Sequence, residues 1–161
     1  MELTLFFDMD NTLIGDRGQL RPLVTDILGR LCDDGHAIYV WSGVGIRWRE
    51  VRTHHLERFV RDCYHKPLDE PAQQATRHAP DLIVDDVSAI VEEFGGVVVR
   101  PYYLENPRDR EMERVYRVIQ DVIRTGASLD SGFRPGRRRA TVTPEALIEG
   151  SGRCHSFAPE A

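Results

Sequence analysis

The stretch Leu3-Thr4-Leu5-Phe6-Phe7-Asp8-Met9-Asp10-Asn11-Thr12 decides how this chain folds. Its apolar run, Leu3 to Phe7, stops abruptly at Asp8, the pattern of a strand buried on both faces in a parallel sheet with acid at its carboxyl end. After a polar turn at Gly15-Asp16-Arg17-Gly18, apolar Leu23, Val24, Ile27, Leu28 and Leu31 recur at helical spacing and stop near Gly35. Ala37 to Trp41 forms a second buried run, closed by Ser42-Gly43, and an Arg/Glu/Val-rich helix is expected from about Ile46 to Arg61. A short third strand is expected over Asp62 to His65, then a helix between Glu70 and His78.

Further along, Leu82-Ile83-Val84 ends at Asp85-Asp86, and a short helix through Ala89, Ile90, Val91 and Phe94 leads over Gly95-Gly96 to a fifth strand, Val97 to Val99. Strand and helix alternate, which implies right-handed crossovers. The fold class is therefore α/β, a Rossmann-like, doubly wound, mainly parallel five-stranded sheet with ligands bound beyond the carboxyl ends of its strands. A last long helix, from Pro107 to about Thr125, carries Met112, Val115, Tyr116, Ile119, Val122 and Ile123 on one face and stops at Gly126. From 127 to 161 the chain is rich in Gly, Ser, Arg and Pro, so a mobile tail is expected there, with a short helix from Thr143-Pro144-Glu145.

Length and charge bound the rest. A chain of 161 residues holds one ordinary domain. The net charge of -5 argues against a surface that coats nucleic acid, and Arg137-Arg138-Arg139 reads as a solvated basic run. No stretch reaches the roughly 20 apolar residues of a membrane helix, and Met1-Glu2-Leu3-Thr4 lacks the start of a signal peptide, so a cytoplasmic location is expected. Cys32, Cys63 and Cys154 are odd in number and widely spaced, which fits reduced thiols and leaves no Cys-x-x-Cys pair for zinc.

The chemistry sits at the strand ends. Asp8, Asp10, Asp85 and Asp86 converge on one rim, where their mutual repulsion calls for a compensating cation. Magnesium suits this all-oxygen supply and binds substrate phosphate as well. Asp8, ending its strand, is the candidate nucleophile toward phosphorus. Asp10 lies on the same side of an extended backbone with Met9 turned away, placed to protonate a leaving oxygen and later to deprotonate water. Ser42, with the amides of Gly43 and Val44, and Lys66 supply donors to the phosphoryl oxygens.

In this order, Asp8-Met9-Asp10-Asn11-Thr12, Ser42, Lys66 and Asp85-Asp86 resemble the four motifs of the haloacid dehalogenase (HAD) superfamily over about the first hundred residues. The resemblance implies an HAD-like catalytic domain over 1–126, an aspartyl-phosphate on Asp8, acid-base catalysis by Asp10, and phosphate binding by Ser42 and Lys66. It further implies a magnesium site of Asp8, the main-chain carbonyl of Asp10 and Asp85, with Asp86 nearby. Members that cleave carbon–halogen bonds lack an acid-base carboxylate at the second aspartate, so Asp10 favours a phosphatase. Cap domains of this superfamily are inserted between the first and second or the second and third motifs, and neither gap leaves room for one here.

A capless site suits an exposed phosphate on a macromolecule, or a small phosphorylated molecule enclosed by a neighbouring subunit. The turn from Gly15 to Leu20 and the arginines Arg47, Arg49 and Arg52 are candidate ligand contacts. Two other functions remain: a receiver-like phospho-acceptor module, against which motif order argues, and a non-catalytic binding domain of the same fold.

Overall fold

The computed structural model describes residues 1–66 and 79–137. Its elements are β1 (Thr4–Asp8), α1 (Val24–Asp33), β2 (Ala37–Ser42), α2 (Trp48–Thr53), β3 (Val60–His65), β4 (Leu82–Asp85), α3 (Ser88–Phe94), β5 (Gly96–Val98), α4 (Glu111–Thr125) and β6 (Phe133–Arg134). The strands form one sheet in the order β3-β2-β1-β4-β5-β6, parallel except for the antiparallel β5–β6 pair. This is an α/β architecture with a mostly parallel mixed sheet, compatible with the Rossmann-like expectation.

Strand alternation builds two cores. Leu5, Phe7, Ile38, Val40, Leu82 and Val84 face one side and pack with α1, α4 and Val51 of α2. The intervening Phe6, Tyr39, Trp41 and Ile83 face the other side, with Val91 of α3. The Phe6 ring meets the Tyr39 and Trp41 rings with centroids 5.2 Å apart, so the second face is largely aromatic. Helix α4 stops where Gly126 takes a left-handed φ of 82°, a conformation glycine adopts without a Cβ clash.

Several boundaries differ from expectation. The sheet has six strands rather than five, because Phe133–Arg134, inside the stretch expected as a tail from residue 127, pairs with β5. Arg114 anchors that return by donating to Asp130 Oδ1 at 2.5 Å and to the Val98 carbonyl at 2.7 Å. The helix expected over 46–61 is only Trp48–Thr53, since Val60 and Cys63 are needed in β3, where they are buried beside β2. Helix α4 begins at Glu111, not Pro107, after a loop that places Asp109 on Arg21. The helices expected over Glu70–His78 and from Thr143 lie outside the described residues, as do Arg138, Arg139 and Cys154.

Between β1 and β2 the chain forms a loop and α1, and between β2 and β3 only a loop and α2, so neither stretch contains an inserted domain. Among the described residues, no helix is long and apolar enough to cross a membrane.

Candidate active site at the carboxyl edge of the sheet

Register alone brings the first two carboxylates together. Phe7 pairs with Val84, so the next residues of the two strands, Asp8 and Asp85, end side by side on neighbouring strands. Trp41 pairs with Asp8, and Ser42 pairs with His65, which sets Ser42 and Lys66 one step further toward the same edge. The Lys66 amide donates to the Ser42 carbonyl at 2.8 Å and carries the pairing one residue past β3.

Lys66 lies between the two strand-end acids. Its ammonium donates to Asp8 Oδ1 at 2.8 Å and to Asp85 Oδ2 at 2.7 Å, with all three side chains at most 7% exposed. Asp85 Oδ1 accepts the Val87 amide at 2.9 Å. The Thr12 hydroxyl sits 3.1 Å from Asp8 Oδ2 and 3.4 Å from Asp86 Oδ1. One oxygen from each of Asp8, Asp85 and Asp86 lies within 4.8 Å of the others, close enough to hold a metal ion.

The loop after β1 is wound tightly around one carbonyl. Met9 O accepts the amides of Leu13 and Ile14 at 3.0 and 3.1 Å, and Asn11 takes a left-handed φ of 61°, which asparagine tolerates better than most residues. Met9 is fully buried, while the Asp10 side chain is 43% exposed. Asp10 lies outside the three-carboxylate group and pairs with Arg47: Nη2 donates to Oδ1 at 3.0 Å, and Nη1 donates to Oδ2. Arg47 Nη1 also donates to Ser42 Oγ at 3.2 Å, and Nε pairs with Glu50 at 3.2 Å.

The expected residues thus fall into two linked groups, Asp8–Lys66–Asp85–Asp86 and Asp10–Arg47–Ser42. Of the four acids expected as metal ligands, only Asp10 offers no side-chain oxygen to the metal-sized cluster. Gly43 follows Ser42 and is half-buried, and the Val44 amide, expected as a phosphate donor, is bonded to Ser42 Oγ at 3.2 Å. The turn from Gly15 to Leu20 is tied at both ends, since Asp16 N and Gln19 Nε2 donate to Tyr103 O, and His54 Nε2 lies 2.7 Å from Gly18 O.

No protein-family model matches the chain, and no curated protein does.

Electrostatics marks Asp8 as the strained member of its group. Burial pushes its carboxyl up to about 7, the negative charge of Asp85 adds to the rise, and Lys66 opposes it. Asp85 is also raised, by burial first, against the pull of Lys66. Lys66, which burial alone would lower, is raised by the charges of Asp8 and Asp85. When all three carboxylates are ionised, they and the one ammonium leave a surplus of two negative charges on a cluster of oxygen donors of which Asp8 and Asp85 are buried. That donor set fits a hard divalent cation and offers nothing to a thiophilic one.

Sequence reasoning missed two supports. Thr12 was visible only as the end of Asp-Met-Asp-Asn-Thr, with no role attached. Arg21, fully buried, carried no signal at all: it forks onto Asp109 at 2.8 and 3.0 Å and donates to the carbonyls of Thr12 and Arg100, locking the loop after β1 to the loop before α4. Beside Asp10 opens a hollow of about 400 Å³ lined by Asp10, Val44, Ile46, Arg47, Arg49 and Glu50. A larger one of about 720 Å³, near Arg30, Tyr116 and Asp121, lies on α1 and α4, away from these acids.

Proposed function

We propose that the chain is a capless member of the haloacid dehalogenase superfamily and a magnesium-dependent phosphomonoester hydrolase. The observation that carries this reading is the trio of Asp8, Asp85 and Asp86 oxygens within 4.8 Å of one another, with Lys66 bridging two of them, at the carboxyl edge of a parallel sheet.

Asp8, Asp85 and Asp86 would hold magnesium, with the Asp10 main-chain carbonyl as the resemblance implies; once bound, the ion neutralises phosphoryl charge. Lys66 and Thr12 fix the two oxygens of Asp8, so the carboxylate is oriented before substrate arrives. An Asp8 oxygen attacks phosphorus, the bond to the leaving oxygen breaks, and Asp10 gives that oxygen a proton. Water then attacks the phosphorus of the aspartyl-phosphate, Asp10 takes its proton, and inorganic phosphate leaves with Asp8 restored. Ser42 Oγ and Lys66 bind the equatorial oxygens. Arg47 already contacts both Asp10 and Ser42, so turning onto the phosphate is a short move that frees Asp10 for its acid role.

The test is hydrolysis of p-nitrophenyl phosphate with and without magnesium, by the wild type, Asp8→Asn and Asp10→Asn. Metal-dependent turnover lost in both variants supports the proposal. Turnover that ignores magnesium, or that survives Asp8→Asn, overturns it. Slow labelling by acetyl phosphate without turnover would favour a phospho-acceptor module instead.

A further inference from the structure

We infer that the hollow beside Asp10 receives the leaving group, and that it selects small phosphomonoesters whose alcohol carries a second anionic group on an apolar skeleton. The inference rests on the phosphatase reading and adds the substrate class.

An acid that protonates the leaving oxygen must stand on the leaving-group side of the phosphorus. Asp10 is also a wall of the hollow, so the departing alcohol lies between Val44, Ile46, Arg47, Arg49 and Glu50. The volume of about 400 Å³ falls within the range of small-molecule sites. Two features of the wall specify the occupant. Val44 and Ile46 are aliphatic residues 79% and 57% exposed, an apolar surface that an apolar skeleton would cover.

Charge supplies the second feature. Of the four charged groups on the wall, Arg47 engages both acids, Asp10 and Glu50. Arg49 forms no ion pair within 4 Å among the described residues, although its charge reaches Glu50, and it lines the hollow as an exposed cation. An anion on the alcohol, a carboxylate or a second phosphate, meets it. Among the described residues no aromatic ring lines the hollow, so they supply no stacking platform of the kind a nucleotide base would use.

The full chain with magnesium is assayed on a matched pair, phenyl phosphate and 4-carboxyphenyl phosphate. The expected kcat/KM is about two- to fivefold higher for the carboxylated ester, the yield of one partly exposed ion pair. Arg49→Gln brings that ratio to about one, and Arg49→Lys restores part of it. A wild-type ratio near one, with both esters turned over, overturns this inference and leaves the phosphatase standing. A high ratio that survives Arg49→Gln also overturns it. No turnover of either ester removes the phosphatase reading, and the inference with it.

Discussion

Replacing Asp8 by Asn makes the protein more stable as pH rises, and the size of the effect follows from the position of Asp8. Its side chain is 7% exposed, and burial, seconded by Asp85, lifts its carboxyl from the ordinary 3.8 to about 7. Below pH 3.8 the folded and unfolded chains both carry the proton and the group contributes nothing. Between 3.8 and about 7 the unfolded chain has lost the proton while the fold retains it, so stability falls as pH rises. Above about 7 both forms are ionised and the penalty is constant. A gap of about three pH units at ~1.4 kcal/mol each sets the total near ~4 kcal/mol. Asp8 and Asp85 titrate as a pair across Lys66, so the measured difference reports the proton that the pair retains.

The assay is urea denaturation of wild type and Asp8→Asn at a series of pH values in a chelator, followed by the fluorescence of Trp41 and Trp48. The advantage of the variant should climb by ~4 kcal/mol from pH 4 to 7 and then level off. Added magnesium should shrink the climb in the wild type, because an ion that binds the ionised carboxylates favours the fold. A difference that stays flat across this range would refute the reasoning, since it would mean that Asp8 titrates as an ordinary surface acid.

Other perturbations test other parts of the fold. Lys66→Met leaves Asp8 and Asp85 buried without their cation and should cost about 3–5 kcal/mol in denaturant midpoints at pH 8. Arg21→Met strands Asp109 and two carbonyls, so a similar loss of about 3–5 kcal/mol is expected, with amide exchange quickening in 9–14 and 100–109. Gly96→Ala would place a Cβ 1.9 Å from the Ile83 carbonyl oxygen at a φ of 151°, so the β4–β5 pairing cannot survive it, and the variant should be recovered unfolded or aggregated by circular dichroism and size exclusion. His36 is held below its ordinary 6.5 by burial, and its Nδ1 accepts the Leu3 amide at 3.2 Å, which requires the neutral ring. A lowered histidine costs nothing above 6.5 and destabilises as pH falls below it, so the stability margin of wild type over His36→Ala should narrow from pH 7 to 5.

The sequence makes the acid floor legible because each of its strands ends abruptly: an apolar run with nowhere else to go fixes the strand, and the next residue then falls on the rim. Phe7-Asp8 and Val84-Asp85 behave in this way, and their register follows from parallel pairing. Arg47 was harder to single out. It belongs to a stretch with Arg49 and Arg52, and no periodicity tells the arginine that forks onto Asp10 from the one stacked near Trp48. The short β6 was equally hidden. Phe133 is its only apolar residue, and its place is set by Arg114 on Asp130 and Val98, contacts between residues too distant in sequence for a local pattern to show.

Two aspartates separated by one residue are neutralised here in opposite ways, and under the proposed function the difference matches their tasks. Asp8 is bound to a lysine that is itself buried and held by a second fixed acid, so its partner has no alternative position and the carboxylate keeps one orientation. A nucleophile requires that constancy. Asp10 is bound to an arginine that immediately precedes the six-residue α2 and borders an open hollow. That guanidinium also touches Ser42, so it has a second acceptor within reach when a phosphate arrives. An acid that gives up and regains a proton in each turnover needs a partner that can leave and return. A lysine at 47 would lack the fork that spans Asp10 and Ser42 together, whereas an arginine at 66 would put a larger planar head where one buried ammonium now meets both Asp8 and Asp85. Exchanging the two cations should therefore impair both steps, even though the net charge of the site is unchanged.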